Sequence, residues 1–387
     1  MSEWKNKSLA QFVTFQRGFD LPKSQFISGD IPVFGSTSIL GYHNLSKVVA
    51  PGVITGRSGT LGKFQYSTVA FWPHNTTLWV KDFKGNDPKF SYYLMQCFDF
   101  SDFNGGGAVP TLNRNVLKSL KVDVPPLQTQ QKIAKILSNY DDLIENNLKR
   151  IKLLEESARL TYEEWFLRFR IDGKKLDIDT ATGLPFEWEV RKISDFVDTA
   201  SGGTPSRRKP EEFYKDGTIP WVKTKELKNF MIIDADEHIT EQGLKKSSAK
   251  MFPANTVLLA MYGNTIGEVT FSTFPTSTNQ ACCAFLVKDK AYLSYFIHQY
   301  LLKNKQKILG YRMGAAQENI SQQIIKSIEI EIPSESLLQL FGKRLSEKYN
   351  LIKSLHTQNQ LLKEARDILL PRLMTGMIDT DNMDIAV

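Results

Sequence analysis

The sequence predicts an α+β protein: two mixed α/β domains joined by two long helices that pair as an antiparallel coiled coil. Three observations carry that prediction. First, Thr111-Leu-Asn-Arg-Asn-Val-Leu-Lys-Ser-Leu-Lys-Val-Asp-Val-Pro125 returns as Asn319-Ile-Ser-Gln-Gln-Ile-Ile-Lys-Ser-Ile-Glu-Ile-Glu-Ile-Pro333, so that 111 becomes 319 and 125 becomes 333, a constant offset of 208. The apolar positions survive (Leu112/Ile320, Val116/Ile324, Leu117/Ile325, Leu120/Ile328, Val122/Ile330, Val124/Ile332), as do Lys118/Lys326 and Ser119/Ser327. A period this long excludes a solenoid and selects two related domains. Second, a long stretch with alternating 4-3 apolar spacing follows each copy. Third, each copy is preceded by short apolar, β-branched runs bounded by turn residues, the pattern of strands.

The first domain is assigned to residues 1–126. Ile31-Pro-Val-Phe34, Val48-Val49, Val53-Ile-Thr55, Val69-Ala-Phe-Trp72 and Thr77-Leu-Trp-Val80 read as strands. Residues 91–98 read as a helix, and 112–120 as a short one capped by Thr111. Alternating Leu120, Val122 and Val124 give a closing strand. A first spacer helix, 127–170, has the seam Ile133, Leu137, Tyr140, Ile144, Asn147, Ile151, Leu154, Ala158, Thr161 and Trp165, and should stop near Arg170, before Asp172-Gly173. Residues 171–188 form a turn-rich linker containing Thr182-Gly183 and Leu184-Pro185.

The second domain, 189–333, repeats the outline. Ile219-Pro-Trp-Val222 matches Ile31-Pro-Val-Phe34; Val257-Leu-Leu-Ala260 precedes Asn264-Thr-Ile-Gly267 as Val53-Ile-Thr55 precedes Gly59-Thr-Leu-Gly62; Asn279-Gln-Ala281 matches Asn75-Thr-Thr77. A second helix, 334–375, has the seam Leu338, Phe341, Leu345, Lys348, Ile352, Leu355, Asn359, Leu362, Arg366 and Leu369, and 376–387 is a tail. Each seam alone would leave an apolar stripe in water, whereas two at equivalent points of a tandem repeat can bury each other. A domain–helix–domain–helix order makes the pair antiparallel, and a helix of ~35 residues would hold the domains ~50 Å apart. Asn147 and Asn359 either fix the register of the pair or face solvent where the seam drifts.

Composition bounds the function. The chain has 387 residues, 41% hydrophobic and 24% charged, enough for two cores. A net charge of +7 and a pI near 9.0 point to a polyanionic partner, nucleic acid before others. Cys97, Cys282 and Cys283 fit neither a disulfide framework nor a metal site, the N-terminal residues lack a signal-peptide core, and no apolar run reaches ~18 residues; a soluble protein of a reducing cytoplasm is expected.

The glycine loop Gly56-Arg-Ser-Gly-Thr-Leu-Gly62-Lys63-Phe64 fails as a phosphate loop: Arg57 stands where the motif needs glycine, and Phe64 where it needs serine or threonine. It is either a hairpin turn or a surface loop offering Arg57, Ser58, Thr60 and Lys63 to DNA. Its counterpart offers Tyr262, Asn264 and Thr265. The run Gly202-Gly-Thr-Pro-Ser-Arg-Arg-Lys-Pro210 brings Arg207, Arg208 and Lys209 as phosphate contacts or as a solvated charge run, with Arg17 and Lys23 a weaker counterpart. Lys223 and Lys225 complete the candidate cations. Asn75, Asn279 and Gln280 carry amides that either pair with an adenine edge or cap turns. Gly105-Gly-Gly107 and Gly314 mark hinges or close backbone approaches. Scattered histidines, and no nucleophile elbow, dinucleotide fingerprint or zinc cluster, lower the expectation of catalysis.

These residues together resemble the specificity subunit of type I restriction–modification enzymes over the whole chain. The resemblance is carried by Gly183-Leu-Pro-Phe-Glu-Trp-Glu-Val190, Gly202-Gly-Thr-Pro205, Gly217-Thr-Ile-Pro-Trp221, Val124-Pro-Pro-Leu-Gln-Thr-Gln-Gln-Lys-Ile133 and Leu369-Leu-Pro-Arg-Leu-Met-Thr-Gly-Met-Ile378. Two departures stand out: Ile332-Pro-Ser-Glu-Ser-Leu337 replaces a second Pro-Pro-Leu junction, and Gly18-Phe-Asp-Leu-Pro22 replaces Gly-Thr-Pro in the first half. The resemblance implies two target-recognition domains, each reading half of a bipartite, asymmetric site in double-stranded DNA, with helices that set the unread spacer. It implies a non-catalytic chain that docks two methyltransferase subunits and restriction/translocase subunits. It places S-adenosylmethionine, ATP and Mg²⁺ on those subunits, and no cofactor or metal in this one. The competing expectations are a self-contained DNA-modifying enzyme and a coiled-coil scaffold that binds no DNA.

Overall fold

The computed structural model describes residues 3–58, 61–98, 112, 114–312, 318–380 and 383; Thr60, Gly105 to Gly107, Thr111 and Gly314 lie outside them. The chain divides into two units, Met1–Glu145 with Gln360–Val387, and Asn146–Asn359.

The first unit opens with β1 (Lys5–Ser8), α1 (Leu9–Phe12) and β2 (Thr14–Arg17). There follow β3 (Ile31–Phe34), β4 (Ile39–His43), β5 (Gly52–Gly56), β6 (Phe64–Ser67), β7 (Trp72–Pro73) and β8 (Thr77–Asp82). Strands β2-β8-β5-β6 make an antiparallel sheet. In the sheet β4-β3-β7, β3 pairs antiparallel with β4 and parallel with β7. Helix α2 (Pro88–Gln96) starts where Asp87 accepts from the Phe90 amide at 2.7 Å, with Pro88 in the first turn, where its missing N–H costs nothing. Helix α3 (Arg114–Ser119) leads into β9 (Lys121–Val124), which pairs antiparallel with β1 from Lys5↔Val124 to Ser8↔Lys121.

Two strand expectations change here, one strand is added and one helix starts earlier. Val48 and Val69 lie outside the strands: Val48 makes an isolated bridge to Phe71, and of the 69–72 run only Trp72 joins a strand, which continues into Pro73. The polar-interrupted Phe64–Ser67 pairs fully with Gly52–Thr55 although its alternation is weak in sequence. The helix expected at 91–98 begins earlier, at Pro88, because Asp87 caps it there.

Helix α4 (Leu127–Phe166) has 40 residues, about 60 Å at 1.5 Å per residue. It stops short of Arg170: Phe169 turns left-handed at φ 53° and sets its ring edge-on to Trp188, 5.3 Å away. The expected linker is partly built, as β10 (Arg170–Ile171) folds back on β11 (Lys174–Lys175) around Asp172-Gly173.

The second unit contains β12 (Glu189–Lys192), β13 (Asp198–Ser201), α5 (Pro210–Phe213), β14 (Ile219–Val222), β15 (Met231–Ile232), β16 (His238–Ile239) and α6 (Glu241–Lys245). After them come β17 (Met251–Phe252), β18 (Thr256–Ala260), β19 (Val269–Ser272), β20 (Thr276–Thr278) and β21 (Cys282–Leu286). Helices α7 (Tyr292–Lys303), α8 (Lys305–Leu309) and α9 (Gln322–Ser327), strand β22 (Glu329–Ile332) and helix α10 (Glu335–Met374) complete the chain. Its sheets repeat the first unit's plan. The order β13-β21-β18-β19-β15 extends β2-β8-β5-β6 by one strand, and β14 pairs parallel with β20 as β3 does with β7. Strand β12 pairs with β22 from Glu189↔Ile332 to Lys192↔Glu329, the counterpart of β1 with β9. The repeated residues thus build one substructure twice, with Leu112, Leu117, Val122 and Val124, and Ile320, Ile325, Ile330 and Ile332, all buried.

Most of each helical seam is buried, including Ile133, Leu137, Ile144, Ile151, Ala158 and Trp165 on α4 and Leu338, Phe341, Leu345, Ile352 and Leu355 on α10. Tyr140, Leu154, Thr161, Lys348, Leu362, Arg366 and Leu369 are half-buried, with Tyr162 and Tyr349 buried beside Thr161 and Lys348. Within the first unit, Arg366 pairs with Asp141 at 2.6 Å. Within the second, Asn147 meets Asn359 at 3.0 Å, Lys348 reaches the Thr161 hydroxyl at 3.0 Å, and Trp165 packs on Phe341 with centroids 5.6 Å apart. Positions rise on one helix as they fall on the other, so the pairing is antiparallel.

Candidate nucleic-acid interface

In the first unit the candidate residues gather at the turn between β7 and β8. Gly18 passes so close to this turn that a Cβ there would stand 2.0 Å from the His74 carbonyl oxygen, which only glycine permits. Arg17, at the end of β2, donates from Nε to the Asn75 carbonyl at 3.3 Å. The Arg57 amide donates to the Thr76 carbonyl at 2.8 Å, and the Ser36 hydroxyl reaches both the Thr76 and Ser58 carbonyls, at 3.2 and 3.1 Å. Four segments therefore bring Arg17, Arg57, Ser58 and Asn75 to one place. The Asn75 side-chain amide already donates to Asp20, which takes one of its donors from an adenine edge. Lys63 and Lys23 are exposed, the latter on the single turn Lys23–Gln25. None of Arg17, Lys23, Arg57 and Lys63 forms an ion pair among the described residues.

Beneath this loop, Trp72 donates from its indole to the Phe19 carbonyl at 3.3 Å, and the Lys47 ammonium stands 4.9 Å above its ring. The second unit repeats the device. A Cβ at Gly202 would lie 2.0 Å from the Thr278 carbonyl, the Gly203 amide donates to that carbonyl at 2.9 Å, and Trp221 donates from its indole to the Gly203 carbonyl at 3.0 Å. In both units a tryptophan pins a glycine loop, with cations lying over its ring.

The cations differ. Arg207 lies with its guanidinium carbon 4.0 Å above the Tyr214 ring and 5.2 Å from that of Trp221. It donates to one oxygen of Glu237, and Lys223 donates to the other. The Arg207 hydrogen bond, followed by Lys223, pulls the Glu237 carboxyl down to about 2 against a desolvation that opposes it. Lys225 pairs with Asp236 at 2.6 Å and Lys209 with Glu212 at 3.0 Å, whereas Arg208 is exposed and forms no ion pair among the described residues. Of the three consecutive cations at 207–209, Arg207 and Lys209 are thus paired with neighbouring carboxylates and Arg208 is not, among the described residues.

The amides and the second glycine loop also divide. Asn279 caps a turn, its side-chain oxygen accepting from the Ala281 amide at 3.2 Å, as the turn-capping alternative has it. Gln280 is exposed, accepts from the Thr204 hydroxyl at 2.5 Å and hydrogen-bonds Tyr262. Asn264 is exposed, whereas Thr265 is buried at 9% exposure; this corrects its reading as a surface contact. Sequence reasoning missed Glu237, Tyr214, Lys47 and Asp20. Trp221 stands in the repeated Ile-Pro-Trp-Val run and closes Gly217-Thr-Ile-Pro-Trp221, but no local spacing marks it as the residue that pins the glycine loop. Among the described residues no group of histidines, cysteines and carboxylates could hold a metal.

A frame built twice, carrying unlike polar surfaces around the same tryptophan–glycine device, defines a class of duplicated two-domain protein. Comparison with known proteins identifies the class: the model of the type I restriction modification DNA specificity domain matches residues 1–156 and 185–364. The chain belongs to that family and is a type I specificity subunit. It is 27% identical over 311 residues to the type I restriction enzyme MjaIX specificity subunit of Methanocaldococcus jannaschii, covering 76% of this chain and 70% of that protein. It is 24% identical over 361 residues to the HindI specificity subunit of Haemophilus influenzae, covering 75% and 77%. The crystal structure of a type I S subunit from M. genitalium shares the fold at a TM-score of 0.63 and 16% identity over 96% of each chain. Among the described residues no helix is long and apolar enough to cross a membrane.

Proposed function

We propose that each unit reads one half of an asymmetric, bipartite site in double-stranded DNA, and that the helical segments fix the number of base pairs left unread between the halves. The observation that carries this reading is the recurrence of the pinned glycine loop with different cations: Arg17, Arg57 and Lys47 in one unit, Arg207, Arg208 and Lys223 in the other. Equal frames present the surfaces alike, and unequal side chains make them select different bases. The chain does no chemistry of its own. Two methyltransferase subunits using S-adenosylmethionine and flipping the target base, and restriction/translocase subunits using ATP and Mg²⁺, assemble on it in the cytoplasm.

Sequencing methylated bases in cells that carry this chain with its methyltransferase tests the reading. A two-part motif with a constant gap is expected, and a contiguous motif would refute it. Purified chain alone, given S-adenosylmethionine and DNA, is expected to transfer no methyl groups; transfer would favour a self-contained enzyme. Binding to duplex DNA should weaken steeply with salt, and a flat response would favour the scaffold.

A further inference from the structure

We propose that Glu237 is a positioning residue for base recognition: it holds Arg207 against the aromatic pair Tyr214 and Trp221 so that the guanidinium reads a guanine edge. The inference rests on the reading of the second unit as a DNA-recognition domain and deepens it. The Arg207 guanidinium is fixed on two sides, by the Tyr214 ring at 4.0 Å and by the Glu237 carboxylate. Glu237 is itself placed by backbone pairing, since its carbonyl accepts from the Trp221 amide at 2.8 Å. Its second oxygen takes Lys223, so one carboxylate holds both cations. A phosphate contact needs no such restraint, because a flexible cation on a long stem serves it well. A bidentate contact to the O6 and N7 acceptors of guanine does need it, since the planar fork must meet the base edge in plane. Arg207 is 52% exposed, and its remaining N–H groups are the ones available for that edge. The carboxylate also removes one net positive charge from the surface, trading non-specific attraction for orientation.

The test uses the chain assembled with its methyltransferase and the motif found by methylation sequencing, with each half-site randomised in turn in a binding competition. Arg207→Ala is expected to lose about tenfold or more of the preference for one guanine, in one half-site only. Glu237→Gln, which keeps the side-chain shape, is expected to relax the same position. It should leave non-specific binding equal or stronger and make the salt slope steeper by about one charge. Should Arg207→Ala relax the guanine while Glu237→Gln leaves both preference and slope unchanged, the positioning role is wrong and the domain reading stands. If Arg207→Ala changes no preference in either half-site, Arg207 reads no base and the recognition surface itself is misassigned. With both variants folded, as their unchanged unfolding midpoints would show, equal loss of preference in both half-sites with Arg207→Ala, or weaker non-specific binding with Glu237→Gln, would overturn the proposal.

Discussion

The side-chain amide of Asn147 on α4 donates to the side-chain oxygen of Asn359 on α10 at 3.0 Å, with both residues about 5% exposed or less. A polar pair inside an apolar seam penalises every helix register but the one that lets the amides meet. The pair is not fully satisfied, because the Asn359 amide nitrogen is buried without a partner. Replacing Asn147 alone by leucine should cost about 1–3 kcal/mol, since it strands the other amide. Replacing both should be neutral or stabilising while loosening register. Urea unfolding of the two single variants and the double variant measures this, and an additive result would dismiss the coupling.

His298 should make the second unit acid-labile. It is fully buried on α7, its Nδ1 2.6 Å from the Tyr349 hydroxyl on α10, ringed by Phe230 and Phe271, while its Nε2 has no partner. Gln299 donates to the same hydroxyl at 2.8 Å, so the hydroxyl proton goes to Nδ1 and the ring proton stays on Nε2. Burial lowers the imidazole from its ordinary 6.5 to about 3. The unfolded chain takes a proton as pH falls through 6.5 and the folded chain does not. The contribution is therefore complete above 6.5 and lost progressively towards 3, on the order of a few kcal/mol. Unfolding midpoints of His298→Asn at pH 8, 6 and 4.5 should fall less with acid than those of the parent; parallel curves would disprove the assignment.

Arg57→Ala should weaken or relax recognition of one half-site only. Its backbone is tied to the β7–β8 turn while its guanidinium has no ion-pair partner among the described residues. Losing one phosphate contact would flatten the salt slope by about one charge, and losing a base contact would broaden one position of the motif. Methylation sequencing distinguishes these, and equal damage to both halves would reject the assignment of one unit to one half.

Gly202→Ala should damage the second unit's reading loop without unfolding the chain. The added methyl would lie 2.0 Å from the Thr278 carbonyl oxygen and 2.6 Å from its carbon, so the loop must leave β20 and release the Trp221 indole. A cost of about 1–3 kcal/mol is expected. The near-ultraviolet signal of the tryptophans and the half-site motif should both change, and a silent substitution would show that the close approach is not maintained in solution.

What the sequence determined by itself is whatever depends on spacing along the chain. A 4-3 apolar alternation names most of the buried helix positions because 3.6 residues make a turn, and a repeat offset of 208 makes the closing strands that end at Val124 and Ile332 equivalent; their partners, beginning at Lys5 and Glu189, are 184 apart and came from the structure. Even there the polar exceptions stayed open, because Asn147 and Asn359 are 212 positions apart and only their meeting decides between register and solvent. Tertiary structure alone decided which charges are free. Arg207 and Lys223 look like Arg57 in sequence, yet both are held by Glu237, 30 and 14 positions away, and no local pattern announces that carboxylate. The physical reason is one of range: periodicity and turn chemistry act over a few residues, whereas the orientation of a cation is set by whatever the folded backbone brings within about 4 Å of it.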